Sequence, residues 1–211
     1  MRFLRFLSIS FLCCALLVPL LFCFVQIKTA ALPQTPAPTT PAPGTSAKAM
    51  VLFDATSGNF LAESGAAARL PMASTTKIMT ALVVLEECQL DDTFAVPAEA
   101  VGVEGSSVYL FEGEIVSVRT LLYALLLSSA NDAAVALALH TAGSVPAFAE
   151  KMNAKAAALG LHDTCFQNPH GLPAEGHYTT ARELALIAAA AMKNPVFREI
   201  ASTTRYSVPQ N

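Results

Sequence analysis

Hydrophobic residues fall into three regimes along this chain. Phe6 to Val25 is almost continuously apolar. From Lys48 to Glu63 the apolar residues come in two short runs, Lys48 to Asp54 and Phe60 to Glu63, around the turn signal Ala55-Thr56-Ser57-Gly58-Asn59. That pattern predicts a β-hairpin at the edge of a sheet. Beyond Ser74 the spacing becomes helical: Ile78, Ala81, Leu82 and Leu85 lie on one side of a helix running from Ser74 to about Glu87. Ser117 starts a second helix, over Val118 to Leu127, and Ser128-Ser129-Ala130-Asn131 interrupts it. Asp132 to Thr141 resumes as an Ala-rich helix, and Val145 to Leu159 forms another, ended by Gly160. Thr180 caps a helix from Ala181 to Lys193, stopped by Asn194-Pro195. Asp91 to Glu114 is broken by Pro97, Gly102, Gly105 and Gly113, so it predicts a small irregular lobe, and Leu161 to Tyr178 is loop-rich.

Two strands followed by a run of helices is an incomplete design, because a lone hairpin needs more strands or a packing helix. No segment before Arg205 supplies a convincing strand, and one begins to take shape only at Tyr206-Ser207-Val208. The expectation is a chain that stops short of the rest of its sheet. At the other end, Arg2 and Arg5 precede the long apolar run, and Thr29-Ala30-Ala31 offers small residues for cleavage. Residues 1–31 therefore form a secretory signal peptide or, given the length of the run, a membrane anchor. Residues 32–46 are rich in Pro, Thr and Ala and predict an extended linker. The folded part is 47–211.

The leader accounts for part of the 54% hydrophobic content. The net charge of −3 leaves no basic footprint, which argues against nucleic acid as a partner. Cys13, Cys14 and Cys23 lie in the leader. Cys88 and Cys165 in the folded part could pair outside the cytosol or stand as two buried thiols. His140, His162, His170 and His177 have no paired ligand spacing and there is no Cys-x-x-Cys, so no metal site or cofactor is expected.

Candidate chemistry centres on Ser74 and Lys77 in Ala73-Ser74-Thr75-Thr76-Lys77-Ile78. Three residues is nearly one helical turn, so both side chains share a face. A serine hydroxyl becomes nucleophilic beside a deprotonated amine, and burial against an apolar helix face lowers a lysine pKa. The plainer alternative is an N-cap serine with an exposed lysine one turn on. Ser57-Gly58-Asn59 belongs to the hairpin turn. Ser129-Ala130-Asn131 is either a helix–helix connector with Ser129 or Asn131 as cap, or a hydroxyl and an amide presented to a cleft, with Ser129 relaying a proton to or from Lys77 and Asn131 holding a substrate carbonyl. His170 either orders its Pro/Gly loop or joins Ser74 in a triad backed by Asp163 or Asp132.

Together these segments resemble the serine D-alanyl-D-alanine carboxypeptidases, the low-molecular-mass penicillin-binding proteins. Arg69-Leu70-Pro71-Met72-Ala73-Ser74-Thr75-Thr76-Lys77 resembles that family's first motif with its flank, and Ser129-Ala130-Asn131-Asp132-Ala133-Ala134 its second. Val103 to Ser107, Leu121 to Leu127, Asn168-Pro169-His170-Gly171-Leu172 and Tyr178 to Glu183 match further family segments. No Lys-Thr-Gly or Lys-Ser-Gly, the third motif, occurs in the chain. The resemblance implies an α+β, β-lactamase/transpeptidase-like fold with its helical subdomain present and most of its antiparallel sheet missing. It implies Ser74 as nucleophile, Lys77 as base, Ser129 as proton shuttle and Asn131 as the residue orienting substrate. The substrate would be a peptidoglycan stem peptide losing its terminal D-alanine, with β-lactams as covalent inhibitors. The location would be extracytoplasmic, secreted or attached to the outer face of the cytoplasmic membrane. The alternatives are a serine β-lactamase, against which stand Ala130 in the middle of the second motif and the lack of a Glu-x-x-Leu-Asn element, or a catalytically dead fragment serving as a cell-wall binding module.

Overall fold

The structure is a computed structural model, and it describes residues 45–208. The leader with its three cysteines, most of the linker and residues 209–211 lie outside the described residues.

The predicted hairpin forms from β1, Met50–Asp54, and β2, Asn59–Ser64, antiparallel with Met50 opposite Ser64 and Asp54 opposite Asn59. The Asp54 carboxylate accepts hydrogen bonds from Thr56 N and Ser57 Oγ. Gly58 takes φ 75°, which its missing Cβ allows. These contacts make Ser57-Gly58-Asn59 a structural turn.

Six helices follow among the described residues. They are α1 Thr76–Glu87, α2 Val118–Leu127, α3 Asn131–Ala142, α4 Val145–Ala158, α5 Ala181–Ala191 and α6 Pro195–Ser202. α1 touches all five of the others and buries eight of its twelve residues. A helix so placed must be apolar nearly all round. α3 meets the same requirement with Ala133, Ala134, Val135, Ala136, Leu137 and Ala138, all buried, and its small side chains let neighbouring helices approach closely. α5 also lies against β1 and so backs the hairpin.

Three expectations need correction. Ser74 does not cap α1: residues Ala73–Thr75 form a separate 3₁₀ turn, and the N-cap position belongs to Thr75. The lobe over Asp91 to Glu114 is not wholly irregular, because β3, Thr93–Ala95, pairs antiparallel with β4, Ile115–Ser117. Asn194-Pro195 ends α5 but also starts α6, with Asn194 Oδ1 accepting from Val196 N and Phe197 N and Pro195 in the first turn. Elsewhere the predicted caps form: Ser117 accepts from Thr120 N, and Thr180 accepts from Glu183 N. Cys88 and Cys165 are free thiols with separate partners, Thr141 Oγ1 and Gln167 Nε2. No helix among the described residues is long and apolar enough to cross a membrane.

Candidate active site

The 3₁₀ turn lifts Ser74 to an exposed position at the mouth of α1, while Lys77, one turn on, is buried to 2% exposure. The turn is strained: Ala73 has φ 46°, unusual for a residue with a side chain. Lys77 Nζ lies 3.3 Å from Ser74 Oγ, 2.7 Å from Asn131 Oδ1 and 2.8 Å from the His170 carbonyl oxygen. The alternative of a capping serine and an exposed lysine therefore does not describe this pair.

Burial is what changes the chemistry of Lys77. It pulls the ammonium pKa from 10.5 to about 8, because desolvation penalises the charged form. A neutral amine has two N–H bonds and one lone pair. Asn131 Oδ1 and the His170 carbonyl can only accept, so they take the two N–H bonds, and the lone pair is left facing the Ser74 hydroxyl. In its neutral form the amine thus presents a lone pair to the hydroxyl, the geometry that a base requires.

Asn131 is held from both ends. Its Nδ2 donates to Glu104 O at 2.6 Å, which fixes Oδ1 toward Lys77, and its backbone N donates to Ser106 O. A Cβ on Gly105 would come within 2.8 Å of Asn131 Nδ2, so only glycine fits there without a shift. Neither Asn131 nor Ser129 caps α3. Ala130 occupies that place, without a side-chain bond. Asp132, the alternative triad partner, is fully buried and accepts from Ser107 Oγ, Val108 N, Leu110 N and Ala133 N, ordering residues 107–110. Ser129 is half-buried at φ 54°. Among the described residues its hydroxyl makes no hydrogen bond, so the structure joins Ser74, Lys77 and Asn131 but does not link Ser129 to them.

The loop Asn168-Pro169-His170-Gly171-Leu172 reaches the site through its backbone. Asn168 Oδ1 accepts from Gly171 N and its Nδ2 donates to Leu172 O, folding the loop on itself. Pro169 O accepts from Thr80 Oγ1 at 2.6 Å, and His170 O accepts from Lys77. Gly171 at φ 89° packs so closely that a Cβ there would overlap the Ala73 carbonyl oxygen. The His170 ring accepts from Leu172 N, and its pKa falls to about 4 through burial first, then the charges of Lys77 and His177. It orders the loop and makes no hydrogen bond to Ser74 among the described residues. No residue pattern in the sequence shows that a backbone carbonyl 93 residues downstream completes the lysine's surroundings. The Pro/Gly composition marked the loop but not its destination.

A family model described as D-alanyl-D-alanine carboxypeptidase, Peptidase S11, matches residues 36–211. Curated relatives include the D-alanyl-D-alanine carboxypeptidases DacF of Bacillus subtilis (strain 168), 38% identical over 152 residues, and DacC of Escherichia coli (strain K12), 42% identical over 178. These alignments cover 70% and 79% of this chain but 39% and 43% of those proteins. A solved D-alanyl-D-alanine carboxypeptidase from Mycobacterium tuberculosis H37Rv superposes with TM-score 0.75 at 38% identity, covering 80% of this chain and 64% of that one. Penicillin-binding protein 6B from Escherichia coli gives 0.72 at 36%, covering 78% and 56%. The chain thus spans about two fifths of the first of these curated relatives.

Proposed function

The chain belongs to the D-alanyl-D-alanine carboxypeptidase family, peptidase S11, and from that premise we propose that it supplies the acylation centre of a serine D-Ala-D-Ala carboxypeptidase acting on peptidoglycan stem peptides. One observation carries this reading: the buried Lys77 Nζ lies 2.7 Å from Asn131 Oδ1, 2.8 Å from the His170 carbonyl oxygen and 3.3 Å from Ser74 Oγ, so that in its neutral form the two acceptors take its N–H bonds and its lone pair faces the hydroxyl.

In the proposed reaction Ser74 Oγ attacks the carbonyl carbon between the two terminal D-alanines, and its proton passes to Lys77 Nζ. The Ser74 backbone N–H helps stabilise the resulting oxyanion, and one such donor is worth about 3 kcal/mol of barrier. Collapse breaks the C–N bond. The leaving amine takes a proton from Lys77, relayed by Ser129, and D-alanine departs. Water then hydrolyses the ester on Ser74. Asn131 retains a second Nδ2–H beyond the one given to Glu104 O, and this orients the substrate amide carbonyl. A β-lactam presents a comparable carbonyl and acylates the same hydroxyl. The charged and apolar layout of residues 1–46 supports an extracytoplasmic location, with that segment as leader or anchor and linker.

A fluorescent penicillin and a peptide ending in D-Ala-D-Ala test the reading. The expected result is a stable label on Ser74, lost in Ser74→Ala, together with released D-alanine. Rapid turnover of the label without D-alanine release would make the protein a β-lactamase. No label and no D-alanine from the full-length protein would leave only a wall-binding role.

A further inference from the structure

His177 is buried at 6% exposure and takes no part in the proposed chemistry, yet it is hydrogen-bonded on both ring nitrogens. Its Nδ1 accepts from Gln167 N at 3.0 Å, so that nitrogen carries no proton. In a neutral ring the proton then sits on Nε2, which lies 2.9 Å from Thr76 Oγ1 and must donate to it. The Phe166 ring meets the imidazole edge-on, with centroids 6.0 Å apart. Thr76 is itself completely buried and stands between Ser74 and Lys77, at the first residue of α1. Its hydroxyl also crowds Gly171, where a Cβ would come within 2.9 Å of Thr76 Oγ1.

We propose that His177 is a positioning residue for the acylation centre: its Nε2–H, acting through Thr76 Oγ1, pins the first turn of α1 so that the Lys77 amine stays dry and in line with Ser74. The inference rests on the carboxypeptidase reading for its catalytic consequence, but not for its structural one. The pin acts directly after a strained residue, since Ala73 in the preceding turn has φ 46°. Burial holds the His177 pKa below its usual value, which keeps the ring neutral and the donor direction fixed.

Two substitutions separate the ring's two bonds in the full chain. His177→Gln keeps an N–H donor near the Nε2 position, and His177→Asn keeps an acceptor near the Nδ1 position. Thr76→Val removes the acceptor while preserving shape. The Lys77 titration, followed by ¹³C NMR at Cε, and the rate of Ser74 acylation by penicillin are both measured. Thr76→Val and His177→Asn are expected to move the Lys77 midpoint up from about 8 towards 10.5, as water reaches the amine, and to slow acylation about tenfold. The Thr76→Val/His177→Asn double variant should be no worse than either alone. His177→Gln should stay within about twofold of the parent, that being the residual expected when the bond is kept. Equal losses in the Gln and Asn variants, or a silent Thr76→Val, would overturn the proposal. Should His177→Asn fail to fold, Thr76→Val against His177→Gln still decides it. If the parent is not labelled by penicillin, the carboxypeptidase reading falls while the Lys77 titration still judges the pin.

Discussion

Lys77 puts a cation-forming group where a cation is costly, and two pH dependences follow. Its pKa in the fold, about 8, lies below the 10.5 of the unfolded chain. Below pH 8 both states are protonated and the burial cost is felt in full. Between 8 and 10.5 the folded state has already released its proton, so this group's contribution to stability improves as pH rises. Denaturant titrations at pH 7, 8.5 and 10 should show that rise in the parent and not in Lys77→Met. Acylation by penicillin should climb with pH and level off above about 8, since only the neutral amine accepts a proton. Gly171 is as constrained as any catalytic side chain. Gly171→Ala adds both a φ 89° penalty and an overlap with the Ala73 carbonyl. It should cost more than about 1 kcal/mol, read by denaturant unfolding, and remove labelling at Ser74. The proximity of Ser74 and Lys77 was legible in the sequence because three residues is nearly one helical turn, whereas the approach of Asn131 to Lys77 spans 54 residues and no local spacing shows it. The His170 carbonyl was not legible either, since every residue carries one and no side-chain pattern marks which is used.

The helices were legible because their caps and apolar periods agree: Ser117 and Thr180 make the bonds their residue types predict. α6 was missed for a reason that is itself physical. Asn-Pro is both an end signal for the helix before it and a start signal for the helix after it, since proline fits the first turn, where its missing N–H costs nothing. Asn194→Ala should lower stability by about 1 kcal/mol through loss of the cap. For a domain of this size that is a fall in Tm of about 2–4 °C by calorimetry. The short pairing of β3 with β4 was hidden because three-residue strands are too brief to display an alternating pattern. The 3₁₀ turn at Ala73–Thr75 was hidden because three residues are too few to show a period of their own, and they run directly into the helical pattern of α1.

At the scale of the whole molecule, the two thiols of the folded part contact different neighbours, and the structure keeps them apart. Alkylation of the denatured, unreduced protein followed by mass spectrometry should find both Cys88 and Cys165 modified. A mass deficit of two hydrogens across those peptides would contradict the structure. The expectation of an α+β fold with a helical body holds, and the hairpin owes its footing to α5, a partner more than a hundred residues away in sequence. The contacts of the candidate site have the same long reach. Thr80 to Pro169, Lys77 to His170 and Thr76 to His177 close loops of 89, 93 and 101 residues. Contacts that distant form only after much of the chain has already been ordered. Reactivity toward an acylating drug should thus emerge late during refolding, behind the far-ultraviolet signal of the helices. The serine would stay inert on a half-made chain, and its awakening would serve as a clock for the final docking of the 168–177 loop.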